Sequence, residues 1–266
     1  MPDIKTPTTA LCRHSLTAIH YRDKNLVEDL LTGDADFVKV MAEHILGREL
    51  EARQLRILNA ILIALMEHGL TPSAIAAREI YMSAPENLQG AVAAGLLGVG
   101  SQFVGTIENC AALLAQLVAL DDADARGRAA RAMVAEHKAR GAFMPGFGHH
   151  LHKPDDPRAQ RLIEMGREAG FEKGYLDALE MLGEEIDAAY GKHVTINATG
   201  ATAALMGAMD IPVRLMRGFA VISRAAGLVA HIGEEQERPS GRFIWDLVDR
   251  SIRCEGAAEA GKDETG

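Results

Sequence analysis

The chain has 266 residues, a formal net charge of -9, 48% apolar residues and only 5% aromatic ones. That length allows one large domain or two unequal ones around a substantial core. The acidic balance argues against a general nucleic-acid binder, which carries a basic face.

Alanine, leucine and methionine outweigh the β-branched and aromatic residues enriched in strands, so a helical protein is expected. Residues 1–13 read as a loose leader without the basic-then-apolar layout of a signal peptide. From Asn25 the pattern becomes helical, with Leu26, Val27, Leu30 and Leu31 at spacings of three and four. Asp34 or Asp36 would cap the next helix, which runs to Gly47. Leu55, Leu58, Ile61, Leu62, Leu65 and Met66 then mark a largely buried helix from Glu51 to Glu67.

His68-Gly69-Leu70 ends that helix, and Thr71 with Pro72 starts another as N-cap and first helical residue. Further helices are expected over residues 90–97, 106–120, 125–140, 157–170 and 173–190. Residues 192–200 are the one extended piece, leading into a small-residue helix to Met209. A long helix over residues 214–235 and a short one over 244–252 precede a Gly/Ala/Glu tail expected to be disordered. The fold class expected is all-α.

Cys12, Cys110 and Cys254 lie far apart with no C-x-x-C pair, so neither disulfides nor a cysteine metal site is expected. Apolar runs such as Ile57 to Met66 are too short to span a bilayer. The expectation is a cytoplasmic protein with neither membrane nor nucleic acid as partner.

The densest cluster of site-forming residues is Gly146-Phe147-Gly148-His149-His150-Leu151-His152-Lys153-Pro154, followed by Asp156-Pro157-Arg158-Ala159. Its glycines allow close backbone approach, a histidine such as His149 ordinarily titrates near neutrality, and Arg158 has a fork suited to a carboxylate. His149, His150 and His152 invite a metal reading, but no fourth ligand is evident, and no metal is expected.

Four collinear stretches resemble the citrate synthase family. His68-Gly69-Leu70-Thr71-Pro72-Ser73 with Ala76-Ala77-Arg78 is similar to its H-G-L-N-A-S-T…A-R segment. Gly146-Phe147-Gly148-His149 with Asp156-Pro157-Arg158-Ala159 resembles G-F-G-H…D-P-R-A. Ile222-Ser223-Arg224-Ala225-Ala226-Gly227 to His231, with Glu235-Gln236, resembles I-S-R-x-x-G-W-x-A-H…E-Q. The turn from Gly95 to Phe103 is closer to the citryl-CoA lyase branch, which includes the C-terminal module of ATP-citrate lyase, and the short length suits that branch.

The resemblance implies an all-α homodimer with a large domain over residues 1–106 and 211–266 and a small domain over 107–210. It implies enolate chemistry between acetyl-CoA and oxaloacetate, which needs a base, donors for the enolate oxygen and cations for carboxylates. His68 and His149 would hydrogen-bond the oxaloacetate part, with His149 on its carbonyl or alkoxide oxygen. Arg158 and Arg224 would clamp carboxylates, joined by Arg238 or Arg242. Gly146, Phe147, Gly148, His150 and Lys153 would lie against a coenzyme A thioester, bound as substrate, with no tightly held cofactor.

Two positions depart from the family pattern. Gln102 stands where the family has a histidine, as a possible donor to the enolate oxygen. Thr199 stands in Asn197-Ala198-Thr199-Gly200 where the family has its catalytic aspartate, and a hydroxyl is a poor base unless a neighbour activates it. Three readings stand at this point: a citryl-CoA lyase, a synthase with another keto acid or acyl-CoA, and a non-catalytic binder of acyl-CoA or di- and tricarboxylates. Bland readings stand beside the sharp ones, with His68 as a helix-end residue and Arg224 as half of a buried ion pair with Glu234 or another acid.

Overall fold

Helix termini account for much of the architecture of this computed structural model, which describes residues 6–32, 36–100, 105–171 and 174–252. Asp36 accepts from Lys39 N at 2.7 Å and starts α1 (Phe37–Leu46), which stops at Gly47 with φ +70°. Asp34 and the Gly/Ala/Glu tail lie outside the described residues. The following α2 (Ala52–Met66) carries the wide apolar face, with Ile57, Leu58 and Ile61 fully buried.

The chain's internal contacts group it into two units, Met1–Ala64 with Gly105–Phe219, and Leu65–Val104 with Ala220–Gly266. Residues 1–64 thus group with 105–219, a division different from the one implied by the resemblance.

The first unit opens with an antiparallel meander, β1 (Cys12–His14), β2 (Ile19–Tyr21) and β3 (Lys24–Asn25), in which Cys12 faces Tyr21 and His20 faces Asn25. Residues 12–13 are therefore strand, not leader. The helical spacing after Asn25 gives only a π-helical turn, Leu26–Leu30, whose first N–H groups are capped by the Asn25 side chain.

The rest of this unit is α5 (Thr106–Val118), α6 (Ala123–Ala139), α7 (Pro157–Glu168), α8 (Tyr175–Tyr190) and α9 (Ala198–Ala208). Helix α9 is at the centre, packed on by α5, α7 and α8, with Ala201 to Met206 fully buried. Small residues permit this. A Cβ on Gly166 would stand 2.4 Å from Leu205, and one on Gly207 would stand 2.4 Å from Tyr175. Of the extended piece expected over 192–200, Ile196 forms one antiparallel bridge with Phe147, whereas residues 198–200 are already the first turn of α9.

The second unit contains α3 (Pro72–Ser83), α4 (Leu88–Leu97), the part of α10 (Val213–Glu237) from Ala220 onward, and α11 (Gly241–Ser251). Ala77, Ala91, Leu228 and Ile232 form its core. Thr71 does occupy the N-cap of α3, but its hydroxyl makes no capping bond and lies buried without a partner among the described residues. By length and composition alone α10 is long and apolar enough to cross a membrane, unlike the shorter runs noted in the sequence. Half of its apolar stretch is buried within the protein, and Ser223, Arg224, His231 and Glu235 are buried along it. Core packing explains its apolar character.

Candidate active site

The glycine loop is first a packing device. Gly146 and Gly148 take φ values of +89° and +80°, which glycine adopts at little cost. Gly148 N donates to Thr195 O at 2.7 Å, and Asn197 N donates to Gly146 O at 3.1 Å. A Cβ on Gly146 would meet Cys110 Sγ at 2.6 Å, and one on Gly200 would meet Gly146 O at 2.4 Å. Phe147 is buried, whereas His150 and Lys153 are exposed. Burial pushes the Cys110 thiol up to about 12, which makes it a core residue and not a nucleophile.

This loop sets the protonation of His149. The backbone N–H groups of Leu151 and His152 donate to its Nδ1 at 3.1 and 2.9 Å. Nδ1 is therefore an acceptor, and the proton of the neutral ring sits on Nε2. Arg158 Nη2 lies 3.4 Å from Nε2, a weaker contact than the two that settle the tautomer. Burial, with help from His152, pushes the His149 pKa down to about 4. The His150 and His152 rings stack on His149 with centroids 4.8 and 4.4 Å away. His149 is thus a neutral hydrogen-bond donor at Nε2.

Arg158 is held by the residue that caps its helix. Asp156, fully buried, accepts from Arg158 N at 3.0 Å, from Ala198 N at 3.1 Å, and from the guanidinium through both oxygens. One carboxylate therefore joins the first turns of α7 and α9 and orients the arginine. Burial raises the Asp156 pKa, but Arg158 and the two backbone N–H groups outweigh it, and the carboxyl lies below its ordinary range. With Nε and Nη2 turned to Asp156, the terminal edge of the guanidinium is the part suited to an incoming carboxylate.

Among the described residues Thr199 has no activating neighbour. Its hydroxyl donates to Asn197 Oδ1 at 2.6 Å, so it accepts from the Thr106 hydroxyl 2.8 Å away. An amide oxygen is not a base, and the hydroxyl proton has nowhere useful to go. Asn197 in turn caps α9 and donates to Gly148 O at 2.9 Å. Glu108, the acid in the first turn of α5, pairs with Arg217 at 2.6 Å.

The loop has a second clamp that sequence reasoning did not single out. His193 contacts Asp187 at 2.7 Å through Nδ1 and Asp155 at 3.0 Å through Nε2. Asp187, then Asp155, raise the His193 pKa.

In the second unit, α2 ends where Glu67 accepts from His68 N at 2.7 Å and Gly69 N at 2.6 Å. Gly69 turns the chain at φ +72°. Arg224 Nη2 donates to Leu65 O at 3.1 Å, and a Cβ on Gly227 would stand 2.1 Å from Met66 O. Helix α10 thus lies directly against the last carbonyls of α2, with a cation where the helix dipole favours one.

Glu234, named as a partner of Arg224 in the bland reading, pairs with Arg78. Arg78 is the cation that the sequence reading passed over; its clue was the A-R of the first motif. Glu235 is likewise committed, to Arg78 at 2.9 Å and to Ser240 and Gly241 N–H groups at 2.8 and 2.7 Å. Arg238 and Arg242 are both exposed. Arg242 pairs with Asp246 at 3.1 Å and stands 4.6 Å from the Trp245 ring centroid. Gln102 lies outside the described residues.

The first unit therefore assembles His149, Arg158, Thr199 and the glycine loop, and the second assembles His68 and Arg224. Residues 5–245 match the family model for the citrate synthase C-terminal domain. A putative citrate synthase 2 of Mycobacterium tuberculosis is 26% identical over 204 residues, covering 74% of this chain and 53% of that protein. The chain thus spans about half the length of the curated relatives it matches. The structure of a citryl-CoA lyase from Hydrogenobacter thermophilus is 29% identical with a TM-score of 0.81 and covers 96% of both chains. An ATP citrate lyase of Methanosaeta concilii, in complex with (3S)-citryl-CoA, shares the fold at 22% identity and a TM-score of 0.73, over 97% of this chain and 43% of that one.

Proposed function

Because this chain belongs to the citrate synthase family, we propose that it is a carbon–carbon lyase that cleaves citryl-CoA, or a related 3-hydroxy-3-carboxyacyl-CoA, to acetyl-CoA and oxaloacetate. The observation that carries this reading is the end-to-end likeness to a citryl-CoA lyase, 96% of each chain, beside half-length matches to citrate synthases.

In the cleavage the tertiary hydroxyl gives its proton to solvent, its oxygen closes to the oxaloacetate carbonyl, and the adjacent carbon–carbon bond breaks. The electron pair passes to the thioester as an enolate, whose carbon then takes one proton back from solvent. His149 would donate from Nε2 to the hydroxyl-derived oxygen, a role that suits a ring held neutral. Arg158 would present its terminal edge to a carboxylate, and His68 and Arg224 would hold the oxaloacetate part. Gly148, His150 and Lys153 would lie along the CoA. The thioester is the substrate and no resident cofactor is proposed. A cytoplasmic homodimer is proposed as well.

The test is to incubate the purified protein with citryl-CoA and follow oxaloacetate release through a coupled dehydrogenase. Turnover well above that of a His149→Ala variant is expected. None above it, across citryl-CoA and close analogues, would overturn the reading.

One observation favours a second reading. Thr199 is tied into a hydroxyl–amide chain with no base among the described residues, which fits a binder of acyl-CoA or of di- and tricarboxylates. That reading requires CoA thioesters to raise the melting temperature by mass action while neither oxaloacetate nor free thiol is formed.

A further inference from the structure

The end of α2 carries an assembly of its own in the second unit. Glu67 Oε1 accepts two successive backbone N–H groups, those of His68 and Gly69, at 2.7 and 2.6 Å. The same carboxylate takes His231 Nε2 at 2.9 Å. The other ring nitrogen, His231 Nδ1, faces Arg78 Nε at 3.1 Å and Nη2 at 2.9 Å. A guanidinium only donates, so Nδ1 is bare and the ring's single proton points from Nε2 to Glu67. Arg78 is itself fixed by Glu234 and by Glu235, the latter held at the start of α11 by Ser240 and Gly241.

The polarity of every link is therefore determined, from α11 through Glu235, Arg78 and His231 to Glu67 and the turn after α2. Arg78, His231 and Glu235 are all buried. Burying such groups is costly unless each is satisfied, and a satisfied network holds one geometry. Helix packing alone does not require it, since Gly227 and Leu228 already dock α10 on its neighbours. An ordinary surface ion pair contributes little, but here a half-exposed carboxylate is aimed by a buried ring. Burial raises the Glu67 pKa, and the bonds from His231 and His68 more than reverse this, so the group is ionised.

We propose that Glu67 is a positioning residue for His68: through its two backbone bonds, and aimed by His231 and Arg78, it fixes the turn that presents the His68 ring to substrate. The inference rests on the reading above that His68 holds the oxaloacetate part, and it places no reacting atom on Glu67 itself.

Three variants test it. Glu67→Gln sets an amide donor against the His231 donor, so either the ring or the backbone pair loses its acceptor. His231→Leu removes the donor to Glu67, and His231→Gln keeps an amide donor near the place of Nε2. Expected are kcat values lower by on the order of 100-fold for E67Q and H231L, the scale of a small misplacement of a substrate-holding group, with H231Q within about 10-fold of the parent. Free CoA should bind all of them with unchanged affinity. The His68 and Gly69 amide protons, shifted downfield by charge-assisted bonds, should move upfield in E67Q. A folded E67Q with parental kcat, unmoved amide shifts, or loss of CoA affinity in parallel with kcat would each overturn the inference. If the parent itself fails to turn over citryl-CoA, the lyase reading falls, and the E67Q amide shifts alone decide whether Glu67 holds the turn.

Discussion

Arg158 and Asp156 form a closed pair, with Nε donating to Oδ1 at 3.0 Å and Nη2 to Oδ2 at 2.8 Å. Two residues apart, they tie the half-buried Arg158 guanidinium to a fully buried carboxylate that also receives the Ala198 N–H of α9. Asp156→Asn isolates the charge while keeping an acceptor for the backbone. Breaking a buried pair by removing one partner costs about 3 kcal/mol or more, and part of the guanidinium is exposed here, so a loss of about 2–3 kcal/mol is expected. Urea denaturation monitored by circular dichroism measures it, and an unchanged midpoint would show that the pair is dispensable.

His149 gives the protein a pH signature. Its pKa is pushed from 6.5 to about 4 in the folded chain. Between those values the unfolded chain binds a proton that the folded chain does not, so stability rises with pH across that window. As pH falls from about 6.5 toward 4 this residue steadily costs stability, and below 4 the effect levels off. His149→Gln, which does not titrate, should show a shallower acid limb in melting temperature between pH 6.5 and 4. Identical limbs would mean that the ring is not held neutral.

The helices were legible in the sequence because apolar spacing, caps and glycines agreed at α1, α2 and α5 to α10. The N-terminal meander was not, for a physical reason. Its β2–β3 turn is Arg22-Asp23, with Arg22 at φ +55° where glycine or asparagine would signal a hairpin. Arg22 tolerates that conformation while its guanidinium caps α1 through His44 O at 3.1 and 2.7 Å, a contact 22 residues away that no local pattern reveals. The candidate site divides in the same way. His149 and Arg158 stand out by residue type, whereas His193, Thr106 and Arg78 act through partners brought together only by folding.

His193 should make the loop sensitive to alkali. Asp187 and Asp155 raise its pKa above 6.5, so its stabilising contribution is complete below that value and is lost as pH rises through the raised one. The protonated ring donates to both carboxylates, and the neutral ring can donate to only one. Hydrogen exchange at Gly148 and Val194 should therefore speed up from pH 6 to 9 beyond the intrinsic base-catalysed rate, and His193→Gln should abolish the excess. Equal excess in both proteins would place the opening elsewhere.

Thr199 separates structural from chemical use of a hydroxyl. Its proton is donated to Asn197 Oδ1 and its oxygen receives Thr106, so the group closes a chain linking the starts of α5 and α9. Thr199→Ala removes both bonds. A net loss of about 1–2 kcal/mol is expected, because the Thr106 hydroxyl loses an acceptor while the Asn197 cap retains its bonds from the Thr199 and Gly200 N–H groups. Under the lyase reading the rate with citryl-CoA should stay within about 3-fold of the parent, since a hydroxyl with no base among the described residues carries no proton transfer. A fall on the order of 100-fold with the fold intact would assign Thr199 to the chemistry. Thr199→Asp makes the converse test. An acid at the second residue of α9 suits the helix dipole and should not unfold the protein. If citryl-CoA cleavage is limited by protonation of the enolate at this place, the new carboxylate should raise kcat and introduce an ionisation into its pH profile that the parent lacks.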